Sequence, residues 1–193
     1  MKDAILRKAR ESAEVKEAFF RAEADRIEAL ARAMASAFKT GGRLYVMGNG
    51  GGATDAQHVA VEFCHPIIEK RRPLPALALT TDHALLTAIS NDRDFAKIFG
   101  DQLRIHARRG DMALALSTSG QSPNLVHALE VGRDLGLITI AFTGKDGGRL
   151  AALADYALVV PSFSIHRIQE THVALYHVVW DLIHIVLGEP DVI

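Results

Sequence analysis

The chain has 193 residues, 49% hydrophobic and 23% charged, with a formal net charge of −1. That length supports one α/β domain with its own core. The near-neutral charge gives no electrostatic case for nucleic acid or a membrane surface. The single cysteine, Cys64, excludes an internal disulfide, and no apolar run has transmembrane length, so a soluble cytoplasmic protein is the expectation.

Residues 3–38 read as a helix, with Phe19, Phe20, Ile27, Leu30, Met34 and Phe38 at helical spacing and Gly41-Gly42 at its end. A strand over 43–47, a glycine loop and a helix over 53–64 follow, and Pro66 breaks that helix. Further strands are expected at 74–79, 112–116, 138–143 and 157–160. Helices are expected at 83–107 (with a break near Asn91-Asp92), 124–135, 148–153 and 166–187. Short apolar strands alternating with helices imply a parallel sheet covered on both faces. Such sheets bind ligands beyond the carboxyl ends of their strands.

Two loops sit at such ends. Ser117-Thr118-Ser119-Gly120-Gln121-Ser122-Pro123 joins a strand to a helix, with Ser122 suited to the N-cap and Pro123 to the first turn. Backbone N–H groups and the helix dipole favour an anion there. No lysine or arginine lies in the loop, so dipoles and hydroxyls would hold a phosphate; the plain alternative is an ordinary capped turn. Gly48-Asn49-Gly50-Gly51-Gly52-Ala53 formally fits a dinucleotide fingerprint, but its acid, Glu69, precedes the next strand rather than ending it. A backbone surface for a sugar phosphate is the competing reading.

His58 and Glu62 share a helix face, with Asp55 one turn earlier. The pair suits a divalent metal, proton transfer or a plain surface contact. The last helix carries His166, His172, His177 and His184 besides Gln169, Glu170 and Asp181. Packing or exposure is the reading for His172 and His184. Gln169 and His177 lie about 12 Å apart along a regular helix. If both serve one metal, the helix begins near Gln169 or they come from different subunits. Val173, Leu175, Val179, Trp180, Ile183 and Val186 present more apolar surface than a lone helix should, which points to a partner chain or to packing on its own sheet. Cys64 is expected to be buried beside Glu62.

Taken together, GNGGGATDAQH, LPALALTTD, TAISND, STSGQSPN, TGKDGG and RIQETHVALYH resemble the phosphoheptose isomerase family of single SIS (sugar isomerase) domains, over residues 41–185. The resemblance implies an α/β flavodoxin-like three-layer sandwich with a parallel sheet and long flanking helices. It implies one domain over 1–193, with 1–39 at a subunit interface of a homotetramer, and interconversion of sedoheptulose 7-phosphate and a glycero-manno-heptose 7-phosphate, a step toward lipopolysaccharide heptose. By the same resemblance, Ser117, Thr118, Ser119 and Ser122 bind phosphate. Asn49, Gly50 and Gly51 face the sugar, Asp92 is a polar substrate contact, and Gln169 binds both substrate and metal. His58, Glu62, Gln169 and His177 match zinc ligands, and Glu62 and His177 match the acid–base pair.

Aldose–ketose isomerisation removes a proton beside a carbonyl and returns it to the neighbouring carbon, which needs a base, an acid and stabilisation of the developing oxyanion. A zinc ion polarises a carbonyl. A lone pair given to zinc is unavailable to a proton, so the metal can organise the resting site without joining every step. The chain departs from the family in three places: Gly52 stands where serine is usual, His65-Pro66 where an arginine is common, and His166 where an acid is common. The segment to Arg71-Arg72-Pro73 is also one residue longer, and Arg71 or Arg72 is a candidate replacement cation. A related SIS lineage binds the bacterial replication initiator without isomerising anything; it typically lacks the matching glutamate and last histidine, and both are present here. A phosphosugar sensor without turnover is a third reading.

Overall fold

Five apolar segments, β1 (Leu44–Gly48), β2 (Ala76–Ala78), β3 (Met112–Ser117), β4 (Ile138–Gly144) and β5 (Tyr156–Val160), form one wholly parallel sheet in the order β2-β1-β3-β4-β5. The structure, a computed structural model, describes residues 1–67 and 71–191. Among the described residues seven α-helices cover the sheet: α1 (Lys2–Lys39), α2 (Gly51–Cys64), α3 (His83–Asp92), α4 (Ile98–His106), α5 (Pro123–Asp134), α6 (Gly148–Leu153) and α7 (Ile165–Val186). A parallel strand cannot be reached by a hairpin, so each connection crosses a face of the sheet.

Alternation along the strands sorts the residues into two cores. Met112, Leu114 and Leu116 join Leu44, Val46, Ile140 and Phe142 beneath α1, α2 and α7. Ala113, Ala115 and Ala141 face the other way with Tyr45 and Met47, beneath α3 to α6. The alanines there let α5 approach closely, and Gly132 of α5 packs against Thr139, Leu137 and Ala113. The result is the expected three-layer flavodoxin-like sandwich.

Boundaries differ where a local rule prevails. β2 is three residues rather than six, because Pro73 and Pro75 have no N–H to give a ladder; Pro75 only accepts, from Leu44. The break near Asn91-Asp92 falls after Asp92. Asp94 then caps a 3₁₀ turn, Phe95–Lys97, by accepting from Ala96 N at 2.7 Å, and α4 follows. α7 runs unbroken from Ile165, four residues before Gln169.

The apolar face of α7 is covered within this chain. Leu175, Val179, Trp180 and Ile183 are buried with Phe19, Leu30 and Met34 of α1. Packing on its own fold therefore accounts for that surface without a partner. The first half of α1 has no buried residue before Phe19 and is tied to α7 by polar contacts, Ser12 Oγ donating to Glu170 and Arg167 donating to the Lys8 carbonyl. Among the described residues no helix is long and apolar enough to cross a membrane.

Candidate active site

The strand order reverses between β1 and β3, and Gly48 lies opposite Leu116 in the ladder. The glycine loop and the serine loop are thereby brought side by side at the crevice where open parallel sheets bind ligands. Asn49 and Asn124 lock the two loops together: each side-chain amide donates to the other's carbonyl oxygen, at 2.9 and 2.8 Å. Asn124, 1% exposed, is a residue the sequence reading missed, although its place directly after Pro123 was the available signal.

A cavity of about 130 Å³ opens there, lined by Ser117, Thr118, Ser119, Ser122, Asn49, Gly52, Asp55, Gln169 and His172 among others. Ser122 occupies the N-cap of α5, but its hydroxyl makes no capping bond. Ser117 Oγ accepts from Gly120 N at 3.1 Å and Ser119 Oγ from Gln121 N at 3.3 Å, so these hydroxyls shape the loop. Among the described residues that line it, none is lysine or arginine. Burial pushes the Asp55 carboxyl up from its ordinary range, with His58 opposing. His172 is a packing residue, as expected: its Nε2 lies 3.1 Å from the Thr143 carbonyl, and burial lowers its pKa to about 4.

Gly50 caps α2 at a φ of 55°, in the left-handed region. A Cβ on Gly51 would stand 2.5 Å from Gln169 Nε2, so the amide end of that side chain would have to move aside. Gln169 therefore rests on the start of α2, beside the serine loop. A Cβ on Gly52 would meet the Leu116 carbonyl oxygen at 2.9 Å, so a serine there requires the end of β3 to give way.

Two turns further along, His58, Glu62 and His177 come together, with their ligand atoms all within 4.8 Å of one another. His58 Nε2 is 3.1 Å from Glu62 Oε1, and the His58 and His177 rings are 5.1 Å apart. Trp180 Nε1 donates to the Glu62 carbonyl at 2.9 Å, fixing the backbone of that residue. Tyr176, a second residue the sequence did not single out, places its hydroxyl 2.8 Å from His58 Nδ1. Burial, with Asp55 and Glu62 nearby, pushes its phenol up from the ordinary value.

Several expected residues go elsewhere. Gln169 is not with the trio: eight residues of unbroken helix hold it about 12 Å from His177 along the axis. Asp92 ends α3, exposed and accepting from the Asn91 amide at 2.7 Å, and it lies outside the cavity lining. A neighbouring cleft is walled instead by Asp94, Phe95 and Ala96, opposite Asn49, Gly50 and Ser122. Arg71 is buried away from the serine loop, paired with Asp181 and stacked 4.6 Å over Trp180, while Arg72 pairs with Glu189 at 2.9 Å. Neither replaces a phosphate cation within this chain. His184 is fully buried against Glu189, at 2.9 Å. Cys64 is exposed rather than buried, because it ends α2 at the sheet edge and its thiol donates to the Ala76 carbonyl at 3.1 Å. Glu69 lies outside the described residues.

A doubly wound parallel sheet with a hydroxyl-rich loop at the switch point is consistent with a SIS domain, and the SIS domain family model matches residues 9–144. The phosphoheptose isomerase of Aquifex aeolicus is 47% identical over 90% of this chain and 91% of its own length. The solved phosphoheptose isomerases of Francisella tularensis and Neisseria gonorrhoeae are each 36% identical. They superpose with TM-scores of 0.90 and 0.88, over 94% of this chain and 96% and 97% of theirs. The chain belongs to the phosphoheptose isomerase family.

Proposed function

We propose that this chain is an aldose–ketose isomerase that converts sedoheptulose 7-phosphate to D-glycero-D-manno-heptose 7-phosphate through an enediol. The observation that carries the reading is the pairing of a hydroxyl-lined cavity with a separate His58–Glu62–His177 cluster, in a chain this similar to phosphoheptose isomerases. Ser117, Thr118, Ser119 and Ser122 hold the phosphate with the N-terminus of α5. Asn49, Gly50, Gly51 and Gln169 contact the sugar, while Asp92 stands exposed outside this cavity. Glu62 and His177 carry the protons: one leaves C1 beside the ketone, one returns to C2, and a hydroxyl proton moves between the two oxygens, so the product is an isomer with nothing added or lost.

The trio also fits a metal. Two imidazoles and a carboxylate are the donor types that bind zinc in catalytic sites with an open position. When bound, zinc would polarise the substrate carbonyl and stabilise the developing oxyanion. We assign His58, Glu62 and His177 as its ligands from one chain. Gln169 reaches such a site only from a neighbouring chain, given its place on α7, and we accordingly propose a homo-oligomer with shared sites; a tetramer with α1 at an interface, placed in the cytoplasm, is what the family resemblance implies.

The test is turnover of purified protein on sedoheptulose 7-phosphate and on shorter ketose phosphates, with and without chelator. Aldose formation from the C7 substrate, lost with chelator and restored by zinc, is expected. No turnover of any ketose phosphate with zinc present overturns the enzyme reading in favour of a binding protein. For the shared site, co-expressed Glu62→Gln and Gln169→Ala chains should recover activity that neither shows alone. A fully active monomer by light scattering overturns sharing.

A further inference from the structure

We infer that Tyr176 is a positioning residue for His58, holding that ring through Nδ1 so that Nε2 is turned toward Glu62 and His177. The inference rests on the reading of the trio given above and adds to it the group that orients its most exposed member. The His58 side chain is 43% exposed, against 23% for Glu62, so its own surroundings do little to fix it. Tyr176, on the facing helix α7, is 2% exposed and immobilised by the core. Its hydroxyl stands 2.8 Å from His58 Nδ1, its ring 5.2 Å from the imidazole at 70°, and 4.7 Å from the ring of His177.

The donor inventory fixes the direction of these bonds. An ionised carboxylate only accepts, so the contact between His58 Nε2 and Glu62 Oε1 needs the proton on Nε2. In the neutral imidazole Nδ1 then carries a lone pair, and the Tyr176 O–H donates to it. If Nε2 instead gives its lone pair to a cation, the proton sits on Nδ1 and the same hydroxyl accepts. A phenol hydroxyl serves both tautomers, whereas a carboxylate in its place would serve only the second. Tyr176 can therefore keep its hold on the ring in both the ion-free and ion-bound states. Outer partners of this kind typically govern 10- to 100-fold in metal affinity.

The test is Tyr176→Phe, which keeps the ring and its packing and removes one oxygen. Nitrogen-15 spectra of histidine-labelled, metal-free wild type, with His58→Gln to assign the signal, should show His58 as the Nε2–H tautomer. Tyr176→Phe should shift that signal toward the averaged position of a mobile ring. Competition with a chromophoric chelator should show zinc bound about 10- to 100-fold more weakly by the variant. A wild-type His58 that is Nδ1–H or freely averaging overturns the inference, as does a variant with unchanged tautomer and zinc affinity. Should Tyr176→Phe fail to fold, the wild-type spectrum decides by itself. Zinc uptake that is absent, or unaffected by His58→Gln, counts against the metal reading, and the metal-free spectrum still decides the role of Tyr176.

Discussion

Gly120 is where the serine loop, the proposed phosphate site, is most exposed to a single methyl group. Its φ is +63°, and a Cβ built there stands 2.0 Å from the Gly147 carbonyl oxygen and 2.6 Å from the carbonyl carbon. Both are backbone atoms, so no side-chain rotation relieves the contact. The opposing segment is equally constrained: Gly148 has φ +56°, and a Cβ there would lie 2.6 Å from the Ser119 carbonyl oxygen. The serine loop and the start of α6 are thus interlocked through paired glycines, and Leu150 N donates to the Gly120 carbonyl at 3.0 Å across the join. In Gly120→Ala the left-handed conformation costs about 1–2 kcal/mol. Parting the loops puts at risk that bond and the one from Gly120 N to Ser117 Oγ, each worth about 1 kcal/mol. The expected loss is about 2–4 kcal/mol in urea unfolding, with KM for the sugar phosphate raised at least about tenfold, which corresponds to 1.4 kcal/mol. A variant within about 0.5 kcal/mol of wild type and with unchanged KM would show that the interlock does not hold the phosphate site.

Glu62→Gln should fold normally, because Trp180 holds the backbone carbonyl of residue 62 and not its carboxylate, while kcat falls by about 10²–10⁴; retained turnover in the folded variant refutes the proton-transfer assignment. His172 supplies a pH prediction. Its folded pKa of about 4 lies below the ordinary 6.5, so between those values the unfolded chain binds the extra proton. Stability is therefore unaffected above pH 6.5, falls as pH drops from 6.5 to 4, and levels off below, by about 3 kcal/mol in all. His172→Gln should flatten that part of the profile in urea unfolding, and an identical slope in both proteins would sink the argument.

Much of this was legible because periodicity and loop chemistry are local properties. The alternation of Met112-Ala113-Leu114-Ala115-Leu116 already separates the two cores, and Ser122-Pro123 marks the start of α5 to the residue. What was not legible depended on which helices become neighbours. Trp180 read as apolar packing on α7 and Tyr176 drew no reading at all, and each reveals its polar duty only when α2 lies alongside. Arg71 looked like a spare cation, yet Trp180 and Asp181 claim it from 110 residues away. Cys64 was misjudged because an edge-strand position leaves the end of α2 open.

The pairing of α2 with α7 orders these facts. His58 faces Tyr176 and Glu62 faces Trp180 at the same separation of 118 residues, and Gly51 faces Gln169 at that separation too. Two parallel helices in constant register carry the candidate site as a ladder, from Gly51 and Gln169 at one end to the proposed proton carriers Glu62 and His177 about 12–16 Å further on. The departures from the family pattern fall at the ends of this ladder: Gly52 at its start, His65-Pro66 beyond its finish, and His166 one turn before Gln169. The rungs that would move protons are intact. On the proposed function, substitutions at the ends would alter how a substrate is anchored without touching Glu62 and His177. Exchanging Gly52 for serine should accordingly change KM through the forced shift at Leu116 and leave the pH dependence of kcat where the middle of the ladder sets it.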